Sequence, residues 1–205
     1  MTPKNRILIV DDQQVVSSTV RDYLSSNFDA TIRTTIEQGR KELRENREKE
    51  NPRERFCVAI FDLKFLNLNL GHATQEEKEN AGLQLVNEAR NDPFLEVIIM
   101  TVIHGDKPAS IALERGVFRY VKKTSESPNL VWIEALKAAA LEAEAVRERW
   151  LALYEDLREL KEQIENLEKA NPALKSTFLA PHLTIRDAML NFDQLLRARG
   201  HHANV

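Results

Sequence analysis

Short, unbroken apolar runs alternate along this chain with longer amphipathic stretches. The runs are Arg6-Ile7-Leu8-Ile9-Val10, Val58-Ala59-Ile60-Phe61 and Val97-Ile98-Ile99-Met100, followed by Phe118-Arg119-Tyr120-Val121 and a weaker segment from Ala30 to Thr34. Continuous apolar runs of this length, separated by helical stretches, read as strands buried on both faces of a parallel sheet. After the first run, Val15, Val16, Val20, Leu24 and Phe28 recur at helical spacing. A second helix starts near Ile36, turns very polar through Glu42 to Glu50 and ends at Pro52. That charge run reads as a solvated helix face. A third helix lies around Ala81 to Asn91. The alternation predicts an α/β fold with a doubly wound, five-stranded parallel sheet.

The last third departs from this rhythm. Ser127-Pro128 has the form of a helix start, and nothing breaks the pattern until Asn171-Pro172. Trp132, Leu136, Ala139, Ala143, Val146, Trp150, Leu153, Leu157, Leu160, Ile164 and Leu167 follow one another at alternating intervals of four and three. A mean period near 3.5 is the signature of a coiled-coil seam. The expectation is a parallel homodimer through residues 132–171, with Val146, Leu153, Leu160 and Leu167 at d and Trp150, Leu157, Ile164 and Asn171 at a. The competing expectation is an antiparallel hairpin against a second amphipathic stretch, Ile185, Ala188, Met189, Phe192, Leu195 and Leu196. The predicted divisions are a globular domain over 1–128, a long helix over 129–171 and a helical tail over 172–205.

Composition narrows the setting. Of 205 residues, 42% are hydrophobic and 30% charged, enough for a packed core with a well-solvated surface. No apolar run approaches the ~20 residues that a bilayer span needs. Met1 to Asn5 carries no apolar leader core, and Cys57 is the only cysteine, so a cytoplasmic location and no membrane association are expected. A net charge of −3 with interspersed signs gives no footprint for nucleic-acid binding.

The chemistry gathers where the strands end. Asp11 and Asp12 close the first run, Asp62 the third, Thr101 the fourth, and Lys122-Lys123 follow the fifth. Ligands of open α/β sheets sit at the carboxyl ends of the strands. Acids, a hydroxyl and an ammonium therefore converge on one edge, a set suited to a divalent cation and a phosphoryl group. Singly, each residue has an ordinary reading: Asp11-Asp12 as a helix cap, Thr101 as a strand end, Lys123 as a surface lysine. Together, in this order and at these strand ends, they favour the site.

The set resembles the receiver domain of two-component response regulators, over residues 5 to about 140. The resemblance rests on Asp11-Asp12, Asp62, Thr101, and Lys123 with Tyr120 three residues before it. It implies a flavodoxin-like receiver fold and a phosphorylation-dependent switch rather than an enzyme. Asp62 would be the phosphoacceptor, served by a sensor histidine kinase or phosphotransfer protein. Mg2+ would be held by Asp12 and Asp62 directly, by Asp11 through water and by the backbone carbonyl of Lys64. Thr101 and Lys123 would bind phosphoryl oxygens, and Thr101 with Tyr120 would form the switch. Lys123 is preferred to Lys122 because it keeps the spacing from Tyr120 and because Lys122 should face away on a pleated strand. Output would pass through coiled-coil dimerisation or partner binding.

Several positions depart from the family pattern. Leu63 to Asn80 is a long connection where about two to six residues are usual; it contains a capping-box pattern from Thr74 to Glu77. Leu66 stands at a usual proline position, and Gly82 arrives late. Val102 is bulkier than the usual residue, while Lys64 and Ile103 offer no group to orient water. His104 and His201-His202 read as inert surface residues. The alternatives are a phosphorylation-independent scaffold, or the regulatory part of a transcription regulator whose Fis-type helices would follow the Gly200 to Val205 turn. A haloacid-dehalogenase-type phosphohydrolase would want an aspartate where Lys64 stands.

Overall fold

The computed structural model describes residues 4–65, 81–102, 106–124 and 130–170, with isolated helical positions at Thr184 and Asp187. Leu66, the Thr74 capping box, Ile103, His104, Ser127-Pro128, Asn171 and the tail's amphipathic stretch, Gly200 turn and His201-His202 lie outside the described residues.

Five strands form one parallel sheet: β1 (Asn5–Val10), β2 (Phe28–Arg33), β3 (Phe56–Phe61), β4 (Glu96–Thr101) and β5 (Arg119–Lys122). Their spatial order is β2-β1-β3-β4-β5, all pairs parallel. The helices are α1 (Gln14–Leu24), α2 (Ile36–Arg47), α3 (Leu83–Ala89), α4 (Asp106–Glu114) and α5 (Leu130–Ala170). Because successive side chains of a strand point to opposite faces, β1 divides cleanly. Leu8 and Val10 join Ile36, Leu43, Leu85 and Ala112 under α2, α3 and α4. Ile7 and Ile9 join Val16, Val20, Trp132 and Leu136 under α1 and α5. The result is a three-layer doubly wound sandwich, as the apolar runs predict.

Local chemistry fixes the connections. Asp11 Oδ1 accepts from the Gln13 amide at 2.8 Å, turning the chain into α1. Thr35 caps α2 by accepting from the Gln38 amide at 3.2 Å, and the Gln38 side chain reaches back to the Thr34 amide at 3.1 Å. This is a capping-box arrangement displaced by one residue. Asn46, buried in the last turn of α2, accepts from the Phe56 amide at 2.7 Å and donates to Asp92 at 3.2 Å. That amide ties the entry of β3 to the connection before β4. Cys57 is buried in β3, and burial pushes its thiol up to about 12.

Three expectations need correction. Phe28 begins β2 instead of closing the face of α1, and Val15, on the predicted apolar face, is 74% exposed. A helix of eleven residues covers the sheet with Val16, Val20 and Leu24, and the chain then turns. Helix α2 stops at Arg47; Pro52 instead opens a 3-10 turn, Pro52–Glu54. The seam of the long helix divides. Trp132, Leu136, Ala139 and Ala143 are buried in the core under β3, β4 and β5, so this half is spent within the chain. It cannot also serve a dimer.

Helix α5 runs from the carboxyl ends of the strands toward their amino ends. Its Glu144 meets Asn5, the first residue of β1. One turn on, the buried Arg147 donates to the Phe94 carbonyl at 3.3 Å and the Pro52 carbonyl at 2.6 Å, just before β4 and β3. Arg53 forks onto Glu155 at 2.9 and 2.6 Å and reaches Glu148 at 3.2 Å. The Phe94 and Tyr154 rings meet edge to face, 5.2 Å apart, beside the fully buried Leu151. No helix among the described residues is long and apolar enough to cross a membrane.

The packing of α5 predicts unequal costs for neighbouring substitutions. Trp132→Ala should destabilise the chain by about 3–5 kcal/mol in urea unfolding. Val131→Ala, at a side chain 73% exposed, should stay within about 0.5 kcal/mol. Equal effects would mean that α5 is not part of the core.

Candidate phosphoryl-transfer site

In the sheet order the chain passes by way of α1 from β1 to β2 on one side and then, by way of α2, crosses from β2 to β3 on the other side of β1. The crevice beyond β1 and β3 is the switch point where α/β sheets bind ligands. Backbone hydrogen bonds continue past the strands into it: the Asp11 amide donates to the Arg33 carbonyl at 3.1 Å, and the Asp62 amide to the Val10 carbonyl at 3.0 Å. The Lys123 amide donates to the Thr101 carbonyl at 2.8 Å. The sheet thereby holds three of the chemical side chains by their own backbones.

Those side chains meet. Lys123 Nζ donates to Asp11 Oδ2 at 2.9 Å and to Asp62 Oδ2 at 2.8 Å. All three are at most 1% exposed. Lys122, the neighbouring candidate, is exposed, as the strand's pleat requires. Asp62 Oδ1 accepts from the Lys64 amide at 3.2 Å. Thr101 is buried at the end of β4, Asp12 is half-buried beside Asp11, and Tyr120 is half-buried against the core under α4.

Charge explains the shifts. Burial alone would lower the Lys123 ammonium's pKa, but Asp62 and Asp11 outweigh it and hold it above its ordinary value. Burial raises Asp11, which Lys123 opposes and the nearby charge of Asp62 reinforces. Burial raises the Tyr120 phenol, with a further push from Asp62. Two carboxylates around one ammonium leave the cluster with a formal negative charge, to which a cation is the natural complement.

Among the described residues no group of three or more acidic, histidine or cysteine side chains is gathered so as to hold a metal ion. Mg2+ does not need such a group, since it keeps several waters and is held by one or two carboxylates with phosphate oxygens. The carboxylates of Asp12 and Asp62 are hard oxygen donors of the kind such an open, largely hydrated site uses.

Sequence reasoning missed how Gly82 serves this edge. The Gly82 amide donates to the Leu63 carbonyl at 3.0 Å, closing the long connection directly beside Asp62. A Cβ on Gly82 would stand 1.9 Å from the Asp62 carbonyl oxygen. Only glycine permits that approach. The signal lay in its position, as the last glycine before an apolar helix, rather than in its distance from Asp62.

Comparison with known proteins bears on the fold. A response regulator receiver domain protein (CheY-like) from Methanospirillum hungatei is 22% identical, with 71% of this chain and 98% of that chain covered and a TM-score of 0.53. A response regulator receiver domain protein from Clostridium thermocellum is also 22% identical, covering 70% and 97%, at 0.53. The response regulator domain of Thermotoga maritima CheB is 17% identical, covering 69% and 97%, at 0.52. The chain has the receiver fold. No family model and no curated protein matches it. The receiver neighbours leave about 30% of this chain uncovered.

The close approach at Gly82 yields a second prediction. Gly82→Ala should cost about 1–3 kcal/mol in urea unfolding, the range for overpacking, and should weaken beryllofluoride uptake because the Asp62 backbone must move. Wild-type stability and uptake would show that the backbone yields without consequence.

Proposed function

We propose that the chain is a response-regulator receiver, a signalling switch that accepts a phosphoryl group on Asp62 from a histidine kinase or phosphotransfer protein. The observation that carries this reading is the buried Asp11–Lys123–Asp62 cluster at the switch point of the sheet. Output passes through α5. The chain is a switch and not an enzyme acting on a free substrate.

The residues suit the chemistry in stages. A carboxylate oxygen of Asp62 attacks phosphorus, the new O–P bond forms, and the donor's P–N bond breaks with the electron pair remaining on the donor's imidazole. Lys123, already at hydrogen-bond distance from Asp62, follows the negative charge onto a phosphoryl oxygen. Thr101 offers its hydroxyl to another oxygen. Magnesium bound by Asp12, Asp62 and the Lys64 carbonyl, with Asp11 through water, would supply the positive charge that such transfers require. Positioning and charge stabilisation supply the rest. As Thr101 is drawn in, the half-buried Tyr120 moves inward and alters the face shared by α4, β5 and α5.

Incubation with magnesium and acetyl phosphate should give a species heavier by one phosphoryl group in intact mass spectrometry. Asp62→Asn should abolish it. Label on another residue would sink the assignment, and no label in the wild type would leave a phosphorylation-independent scaffold.

The acyl phosphate should also be long-lived. Lys64 and Ile103 present no acid or amide to orient water, and Val102 adds bulk beside Thr101. A Lys64→Asn, Ile103→Glu double variant should lose the label faster than wild type, by several-fold in a time course. Equal decay would remove the water-orienting argument.

A further inference from the structure

A second polar site lies at the carboxyl end of β2, outside the crevice that holds Asp62. β2 is an edge strand, with α1 and α2 covering opposite faces of the sheet beside it. Across its free edge the two helices leave an open cavity of about 350 Å³, a size at the lower end of ligand pockets. Gln14, Ser18 and Arg21 line it from α1, Arg33 and Thr34 from the end of β2, and Gln38 from α2. Ile32 is the one apolar side chain in the wall. Gln14, Ser18 and Arg21 stand at i, i+4 and i+7, a single stripe of α1.

The wall is rich in uncommitted donors. Arg33 Nη1 donates to the Ile32 carbonyl at 2.7 Å and Nη2 pairs with Glu42, which holds the guanidinium beside the strand and leaves Nε to spare. Arg21 is tied only to its neighbour Asp22, an exposed pair worth little. Neither Asp22 nor Glu42 lines the cavity, so the wall itself carries two positive charges and no acid. The Gln38 side-chain oxygen accepts from the Thr34 amide at 3.1 Å, so its NH2 group is the end left to donate. Among the described residues the Ser18 and Thr34 hydroxyls have no hydrogen-bond partner. The Arg33 carbonyl points toward β1, where it accepts from the Asp11 amide, so the Ile32 amide, one residue earlier on the strand, faces the free edge.

We propose that this cavity binds a small polyhydroxylated phosphomonoester, a sugar phosphate in kind, with its phosphate held by Arg21 and Arg33. Guanidinium forks match phosphate oxygens, and no carboxylate in the wall repels them. The hydroxyls of Ser18 and Thr34 and the amides of Gln14 and Gln38 complement a chain of sugar hydroxyls. A bare phosphate would leave those groups without a partner. A nucleobase would find no aromatic ring to stack on and only Ile32 to cover its face.

The test is titration calorimetry on the full chain without magnesium, using ribose 5-phosphate, glucose 6-phosphate and glycerol 3-phosphate. Free ribose, inorganic phosphate and AMP are the comparators. At least one of the three phosphomonoesters should bind saturably at one site, about tenfold tighter than ribose or inorganic phosphate. AMP should bind no tighter than ribose 5-phosphate. Amide shifts in 1H–15N spectra should centre on Ser18, Ile32, Thr34 and Gln38, and binding should persist in Asp62→Asn. Arg21→Gln, at an exposed side chain, should weaken binding about tenfold with urea unfolding unchanged, and Arg33→Gln should do likewise. Should Arg33→Gln fail to fold, Arg21→Gln and the spectra decide. The proposal is overturned if none of the three phosphomonoesters binds, if inorganic phosphate binds as tightly as they do, or if AMP binds tighter. Shifts centred on Asp62 and Lys123, or affinity unchanged in Arg21→Gln, would equally overturn it.

Discussion

The contact of Lys123 with Asp11 and Asp62 organises this molecule. Its three partners come from the ends of β5, β1 and β3, so a single ammonium ties the edge of the sheet to its centre. Each ion is out of water, and removing one member of such a set typically costs about 3–5 kcal/mol because the remaining charge is left unpaired. The arrangement is stable only as a whole. It also places a buried ammonium against a carboxylate whose second oxygen is held by the Lys64 amide. Whatever draws Lys123 away from Asp62 must offer it a better anion, which is what a phosphoryl group on the same residue would do. The resting contact and the proposed chemistry share one electrostatic requirement.

A second constraint acts through the length of α5. A helix of 41 residues cannot find cover on a sheet whose strands have four to six residues. Its first three turns therefore complete the core, the next turns grip the amino-terminal edge, and the remainder extends beyond. The grip is mixed in kind. Arg147 is buried and satisfied by backbone carbonyls, while Arg53 with Glu148 and Glu155 is half-exposed and worth little as isolated pairs. Buried Leu151 and the Phe94–Tyr154 contact supply the apolar component. Helix α5 follows β5, whose end carries Lys123, and is held again at the far edge, so the element near the proposed phosphosite is also the one that extends past the sheet.

Much of this was legible because strand-end chemistry depends on alternation and order, which a sequence displays directly. The runs ending in Asp11, Asp62 and Thr101 located the edge, and the pleat separated Lys123 from Lys122. Failures came where one pattern served two partners. Phe28 fits the spacing of α1 yet belongs to β2, because a helical period does not say where the helix stops. The seam from Trp132 to Leu167 is continuous in sequence but divided in space: a sheet and a coiled coil ask for similar apolar spacing over a few turns. Arg147 was hidden in a charged run, since nothing in Arg147-Glu148-Arg149 distinguishes a guanidinium that meets carbonyls from one that meets water.

The long connection after Asp62 follows the same logic at the scale of a loop. Phe65 and Ala81 are both buried, and the Gly82 amide returns to the Leu63 carbonyl. The two ends are thus pinned within the core whatever the length between them. Loop closure grows only slowly in cost with length, about 0.6 kcal/mol per doubling, so an extended connection is tolerated once its ends are fixed. What cannot change is the glycine. A side chain there would collide with the backbone of Asp62 before the insertion had any effect on the site, so the constraint on this loop falls on where it re-enters, not on how far it travels.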